Sequence, residues 1–229
     1  MNYLNMIAFG IFPYIAIIVC FVATWVRYDR EQYTWKASSS QLLESKMLKR
    51  GSIPFHVGII FVLMGHFVGL LTPVEVWHFL GVHAEVKQLI AMGMGGIFGL
   101  ICLYGMVILI VRRLTNPRVR ATSSTMDIVV LLMLFVQLLL GLSSIFVSAN
   151  HLDGAEMMML MSWAQNFVTF DAIAAAQAIE PVHWIYKLHV FFGMTLFIAF
   201  PFSRLVHIAS VPVKYFGRNY QVVRKKAWK

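Results

Sequence analysis

Apolar and polar positions fall in long blocks along this chain. Five stretches are nearly free of charge, running approximately from Tyr3 to Val26, Ile53 to Leu71, Val86 to Val111, Met126 to Val147 and Trp184 to Ile208. Each is close to or beyond the roughly 20 apolar residues that a helix needs to cross a bilayer. Backbone groups in hydrocarbon must be bonded within their own segment, so helices are the natural spanning element. The pattern predicts an all-α fold: one domain over residues 1–229, built as a five-transmembrane-helix bundle.

Segment 27–50 carries Tyr28, Tyr33 and Trp35, residue types suited to a membrane interface. Arg112 to Arg120 reads as a short basic turn, after which Ser123, Ser124 or Thr125 caps the fourth helix with Asp127 in its first turn. Segment 148–183 is the longest loop. Its stretch Glu156 to Phe170 predicts a helix lying on the surface rather than a sixth span. Met157, Met158, Met159 and Met161 are too crowded for one helical face, which favours packing over copper binding. The tail from Val211 to Lys229 is basic, and either a cytoplasmic partner or anionic lipid would account for it.

Composition agrees: 59% of the 229 residues are hydrophobic and 13% charged, against about 25% charged in soluble domains. The first span lacks a preceding Lys or Arg and a following small-residue cleavage site, so it reads as a helix rather than a cleaved signal peptide. The net charge of +9 is unevenly spread. Segments 27–50, 112–124 and 204–229 hold 17 of the 19 Lys and Arg residues, leaving Lys87 and Lys187 on the other side. That other side carries Glu75, Glu85, Asp153, Glu156, Asp171 and Glu180. This is the positive-inside pattern, so the N-terminus is expected outside and the C-terminus in the cytoplasm. The basic excess is a membrane signature and argues against nucleic acid. Cys20 and Cys102 lie in separate spans without C-x-x-C spacing, so any haem would be held without a covalent link.

Candidate chemistry comes from four histidines. His56 and His66 lie on the second span, and His189 and His207 on the fifth. Histidine in hydrocarbon is costly and marks function by default. The two spans run antiparallel, which brings His66 toward His189 near the outer face and His56 toward His207 near the inner face. Each pair could hold a haem iron from both sides. Eighteen residues, about 27 Å on a continuous helix, would put His189 and His207 on one face, whereas His56 and His66 are about 15 Å apart. Tilt would have to absorb that difference. Gly58, Gly65, Gly69 and Gly193 could admit a flat macrocycle, with ordinary small-residue helix packing as the alternative. His78, His83, His151 and His183 fall in outer loops, with His183 the best substitute ligand.

Several stretches carry a resemblance along essentially the whole chain: Arg27-Tyr28-Asp29, Gln32-Tyr33-Thr34-Trp35, Gly65-His66-Phe67, Leu71-Thr72-Pro73 and Glu85-Val86-Lys87-Gln88. Pro117-Arg118-Val119-Arg120-Ala121-Thr122, His151-Leu152-Asp153-Gly154 and Phe200-Pro201-Phe202-Ser203-Arg204-Leu205-Val206-His207 extend it. In these the chain resembles the gamma subunit of respiratory nitrate reductase, a dihaem cytochrome b of the bacterial inner membrane. The resemblance implies two b-type haems, the outer on His66 and His189 and the inner on His56 and His207. It implies quinol oxidation near the outer haem, with electrons passing to a cytoplasmic iron–sulfur beta subunit and a molybdenum-containing alpha subunit that reduces nitrate. Lys87 becomes a candidate to hydrogen-bond the quinol oxygen, against plain snorkelling. Arg112, Arg113 and Arg204 become candidates for the inner haem's propionates, against a placement that surface topology alone would also give. The same module serving another reductase, and a haem-free anchor or metal carrier, are the competing readings.

Overall fold

The computed structural model describes residues 2–35, 40, 42–210 and 217. Among them the regular structure is helical throughout, and five helices are long and apolar enough to cross a membrane. In chain order the helices are α1 (Tyr3–Arg30), α2 (Ser45–Leu71), α3 (Val74–Phe79), α4 (Ala84–Thr115), α5 (Pro117–Ala121), α6 (Thr125–Asn150), α7 (Ala155–Val168), α8 (Ala172–Ile179) and α9 (Trp184–Ala199). The spans are α1, α2, α4, α6 and α9, the last completed by a tight turn over Phe200–Phe202. The basic tail lies outside the described residues apart from Gly217.

Local chemistry sets several ends. Ser124 and Asp127 form a reciprocal capping box at the start of α6, satisfying two of the donors a helix leaves open. Asn116 caps α5, with Pro117 at its first position, where a missing N–H is harmless. At the far end of α6, Gln88 donates to the carbonyls of Ser148 and His151 at 2.9 and 2.7 Å.

The spans pack in the order α1–α9–α6–α4–α2, each pressed on its neighbours in that series. The closest approach joins α2 and α4. A Cβ on Gly58 would lie 2.6 Å from the backbone N of Cys102 and the carbonyl of Phe98, so only glycine permits that contact. The spans α2 and α9 share no such packed seam and form the two ends of the arc α2–α4–α6–α9. A cleft therefore separates the two helices that carry the histidines.

Loop 148–183 folds into two helices rather than one. In α7, Trp163 donates to the carbonyl of Phe9 at 3.0 Å, and Gln165 reaches the carbonyls of Leu70 and Thr72 at 3.2 Å each. Phe9, Trp163, Ala164, Ala175, Ile179, Val182, Ile185 and Tyr186 make one buried cluster. The expected surface helix is thus a packed cap joining α1, α2 and α9. Met161 is buried in this cap, in keeping with a packing role.

The fifth span does not continue to Ile208 as one helix. Pro201 follows its last α-helical residue closely, and Ser203 is extended, with φ −122° and ψ −179°. A separate tight helical stretch, Arg204–Ser210, carries His207. The five-turn relation between His189 and His207 is therefore replaced by a break. The carbonyls exposed there are not left open: Arg27 of α1 donates to those of both Pro201 and Ser203.

Candidate functional site

Both histidine pairs expected from the sequence meet across the cleft between α2 and the fifth span. The ring centroids of His66 and His189 are 6.0 Å apart, and those of His56 and His207 are 6.3 Å apart. Imidazoles facing each other through one metal ion, at bonds of about 2 Å, have centroids about 6 Å apart. Three of the rings are held the same way. Nδ1–H donates to a backbone carbonyl one turn back: His56 to Ser52 at 2.7 Å, His66 to Val62 at 2.8 Å and His207 to Arg204 at 2.6 Å. This bond fixes the neutral tautomer and leaves the Nε2 lone pair for a metal.

The space beside the rings differs by position. Cβ atoms on Gly65 or Gly69 would meet nothing within 4 Å among the described residues, so these glycines border open space beside His66. Gly58 belongs to the α2–α4 contact and Gly193 faces Gln137, so the packing explanation holds for those two. On α6, a Cβ at Gly141 would come within 3.0 Å of Cε1 of His189, which makes glycine there a condition of the ring's placement. Among the described residues no three His, Cys, Asp or Glu side chains form a metal cage. A haem asks for only two protein ligands, and the imidazole donors and their spacing fit one at each pair, with an open glycine border beside the outer pair.

Lys87 is 5% exposed and does not snorkel freely. Its Nζ donates to the carbonyl of Gly69 at 2.6 Å, touches the sulfur of Met161 and lies 4.7 Å from the centre of the Trp77 ring. Gly69 is one turn beyond His66, so the ammonium is fixed close to that pair. Val74, Trp77, His78, Val82, Ala84, Lys87, Met158 and Met161 line a small cavity around it.

The three candidate arginines are already engaged. Arg112 donates to the carbonyl of Glu44 and to both the hydroxyl and carbonyl of Ser40 at 2.9–3.1 Å. Arg113 meets Ser123 at 2.8 Å and Asp127 at 3.6 Å, and Arg204 pairs with Asp127 at 2.9 Å. His183 caps α9, its Nδ1 accepting from the N–H of Ile185 at 3.3 Å. His78 lies on the short helix α3 and His83 in the loop after it, both exposed.

Sequence reasoning overlooked Gln137, which stands 3.3 Å from Nε2 of His189. An amide in the middle of an apolar span was the available signal. It also read Asp127 only as a cap and so missed its pairing with two arginines.

The site and fold define a class first: a multi-pass helical membrane protein with paired imidazoles at two levels of one cleft. Residues 5–226 match the family described as nitrate reductase gamma subunit. The chain is 50% identical to the respiratory nitrate reductase 1 gamma chain of Escherichia coli (strain K12), covering 99% of this chain and 100% of that one. It is 48% identical to the respiratory nitrate reductase 2 gamma chain of the same strain, over 98% and 99%. It is also 37% identical to the nitrate reductase gamma chain of Bacillus subtilis (strain 168), over 96% and 98%. The chain belongs to the nitrate reductase gamma subunit family.

Proposed function

We propose that this chain is the quinol-oxidising, dihaem b-type subunit of a respiratory nitrate reductase. It sits in the bacterial inner membrane with its N-terminus outside and its C-terminus in the cytoplasm. The observation that carries this reading is the meeting of two imidazole pairs, at 6.0 and 6.3 Å, across the cleft between α2 and the fifth span. His66 and His189 would hold the outer haem, and His56 and His207 the inner one. Bound haem supplies a one-electron carrier at each level.

The protein's own groups do the rest. Carbonyls on Nδ1–H make the iron-facing nitrogens of His56, His66 and His207 better donors and lock their rings. Lys87 offers an ammonium beside His66 that would exchange a contact to Gly69 for one to a quinol oxygen. Arg112 uses three of its N–H groups on Ser40 and Glu44, leaving two to meet a propionate. Arg204, fixed by Asp127, holds the backbone next to the inner pair and is the second propionate candidate.

Oxidation of a quinol gives a quinone, two protons and two electrons. With the quinol near the outer pair, the protons leave outward. The electrons pass inward to an iron–sulfur partner, beyond which a molybdenum-containing partner reduces nitrate to nitrite. Each electron carried across the full potential stores about 2.3 kcal/mol per 100 mV. The purified complex tests the reading by its b-haem content and by reduction with a quinol analogue. Two haems reduced by quinol are expected. A well-folded preparation without haem would instead support a plain anchor.

A further inference from the structure

Three of the four paired histidines give their Nδ1–H to a carbonyl of their own helix, and His189 does not. Its Nδ1 is buried with no partner among the described residues. Across from it on α6, Oε1 of Gln137 is also buried with none among them. The Gln137 amide nitrogen donates to the carbonyl of His189 at 3.1 Å and lies 3.3 Å from its Nε2. Gly193, one turn beyond His189, is what makes room for this amide: a Cβ there would come within 3.1 Å of it. Burial of an unpaired donor beside an unpaired acceptor is unfavourable for both groups. Two soft rotations would turn these groups toward each other. A half-turn of the imidazole about Cβ–Cγ puts Nδ1 where Cδ2 stands, next to the ring position that lies 3.3 Å from the Gln137 amide. A half-turn of the amide brings Oε1 to the same edge of the ring.

We propose that Gln137 is the positioning residue of the outer haem, accepting the Nδ1 proton of His189 through its amide oxygen. This inference rests on the dihaem reading and adds an asymmetry to it. Each inner ring has a carbonyl of its own helical segment on Nδ1, with the Ser52 hydroxyl a further 3.1 Å contact to His56 from the same turn. The outer pair is tuned on one side by a side chain from a neighbouring helix, so its basicity is open to change.

The test uses the complete membrane complex with Gln137→Glu and Gln137→Leu, reading the midpoint potential and low-spin EPR signal of each haem. A carboxylate acceptor pulls harder on the Nδ1 proton, makes the imidazole more anionic and favours ferric iron. Leucine removes the acceptor and favours ferrous iron. The expected result is shifts of opposite sign at one haem with the other unchanged, each near tenfold in the ferric-to-ferrous ratio, which is 59 mV for one electron. Loss of one haem alone in either variant also supports the role, since an ordering partner typically contributes 10–100-fold to metal affinity. Unchanged potentials and spectra in both variants would overturn it, as would equal shifts or losses at both haems. A wild-type complex lacking two haems would defeat the dihaem reading itself, and that result is visible before any variant is made.

Discussion

Nδ1 of His207 is hydrogen-bonded to the carbonyl of Arg204 at 2.6 Å, and the guanidinium of that same Arg204 is paired with Asp127 at 2.9 Å. The buried carboxylate at the start of α6 therefore anchors the short stretch that presents the inner histidine. Asp127 also holds Arg113 at 3.6 Å, so one acid links α4, α6 and the segment after α9.

Replacing Asp127 with alanine leaves two cations near each other with no acid between them. Removing one partner of a buried pair costs about 3–5 kcal/mol. The expected outcome for Asp127→Ala is a lower thermal midpoint and preferential loss of the inner haem, with the outer haem retained. Haem per polypeptide and the reduced-minus-oxidised spectrum check it. Equal loss of both haems would assign Asp127 to general stability alone.

Lys87 is buried and held by Gly69, Met161 and Trp77, so its side chain is placed before any quinol arrives. A charge-assisted hydrogen bond is worth about 1.5–3 kcal/mol, which is about 10–150-fold in rate. Lys87→Ala should lower quinol-dependent nitrate reduction by that factor while both haems stay bound. Nitrate reduction driven by an artificial donor to the cytoplasmic partners should be unaffected. A full quinol rate in the variant would return Lys87 to a structural role.

Five spans and two histidine pairs were legible because each rests on a long-period signal: apolar blocks and the alternating direction of successive helices. The break after Ala199 was not legible. Phe200, Pro201, Phe202, Leu205 and Val206 keep that stretch apolar, so hydropathy runs through a point where the missing N–H of Pro201 ends the helix. Antiparallel order still brought His207 to His56, although the straight-helix reasoning about their shared face failed. The second helix of the long loop was hidden by its eight-residue length and its alanines, which pack against the start of α1. Engagement of Arg112, Arg113 and Arg204 was invisible for another reason. Ser40, Glu44 and Asp127 reach them only through folding across distant parts of the chain.

Arg27 closes the two carbonyls opened by the break in the fifth span, and it does so from α1, the helix that carries none of the paired histidines. Arg27→Leu leaves both carbonyls without this donor, at about 1–3 kcal/mol for each one that water cannot reach. The inner histidine should then be less well held. The expected result is a broadened inner-haem EPR signal with normal outer-haem potential. Arg27→Lys, with fewer donors and no fork, should rescue only part of it.

Glycines separate the contributions of packing and of the cleft. At Gly58 a Cβ would lie 2.6 Å from backbone atoms of α4, which cannot yield without parting the two helices. At Gly65 a Cβ meets nothing within 4 Å among the described residues. If both glycines served helix packing, Gly58→Ala and Gly65→Ala would differ only in degree. The cleft reading expects a difference in kind. Gly58→Ala should reduce the folded yield and thermal midpoint, because overpacking costs about 1–3 kcal/mol. Gly65→Ala should leave apoprotein stability within about 0.5 kcal/mol of the parent, as for a substitution into open space. The same methyl should instead weaken haem retention at the His66–His189 pair, where it enters the space beside the rings. Thermal unfolding of the two variants with and without haem decides the matter, and a Gly65→Ala protein with unaltered haem content and spectrum would remove that glycine from the outer site.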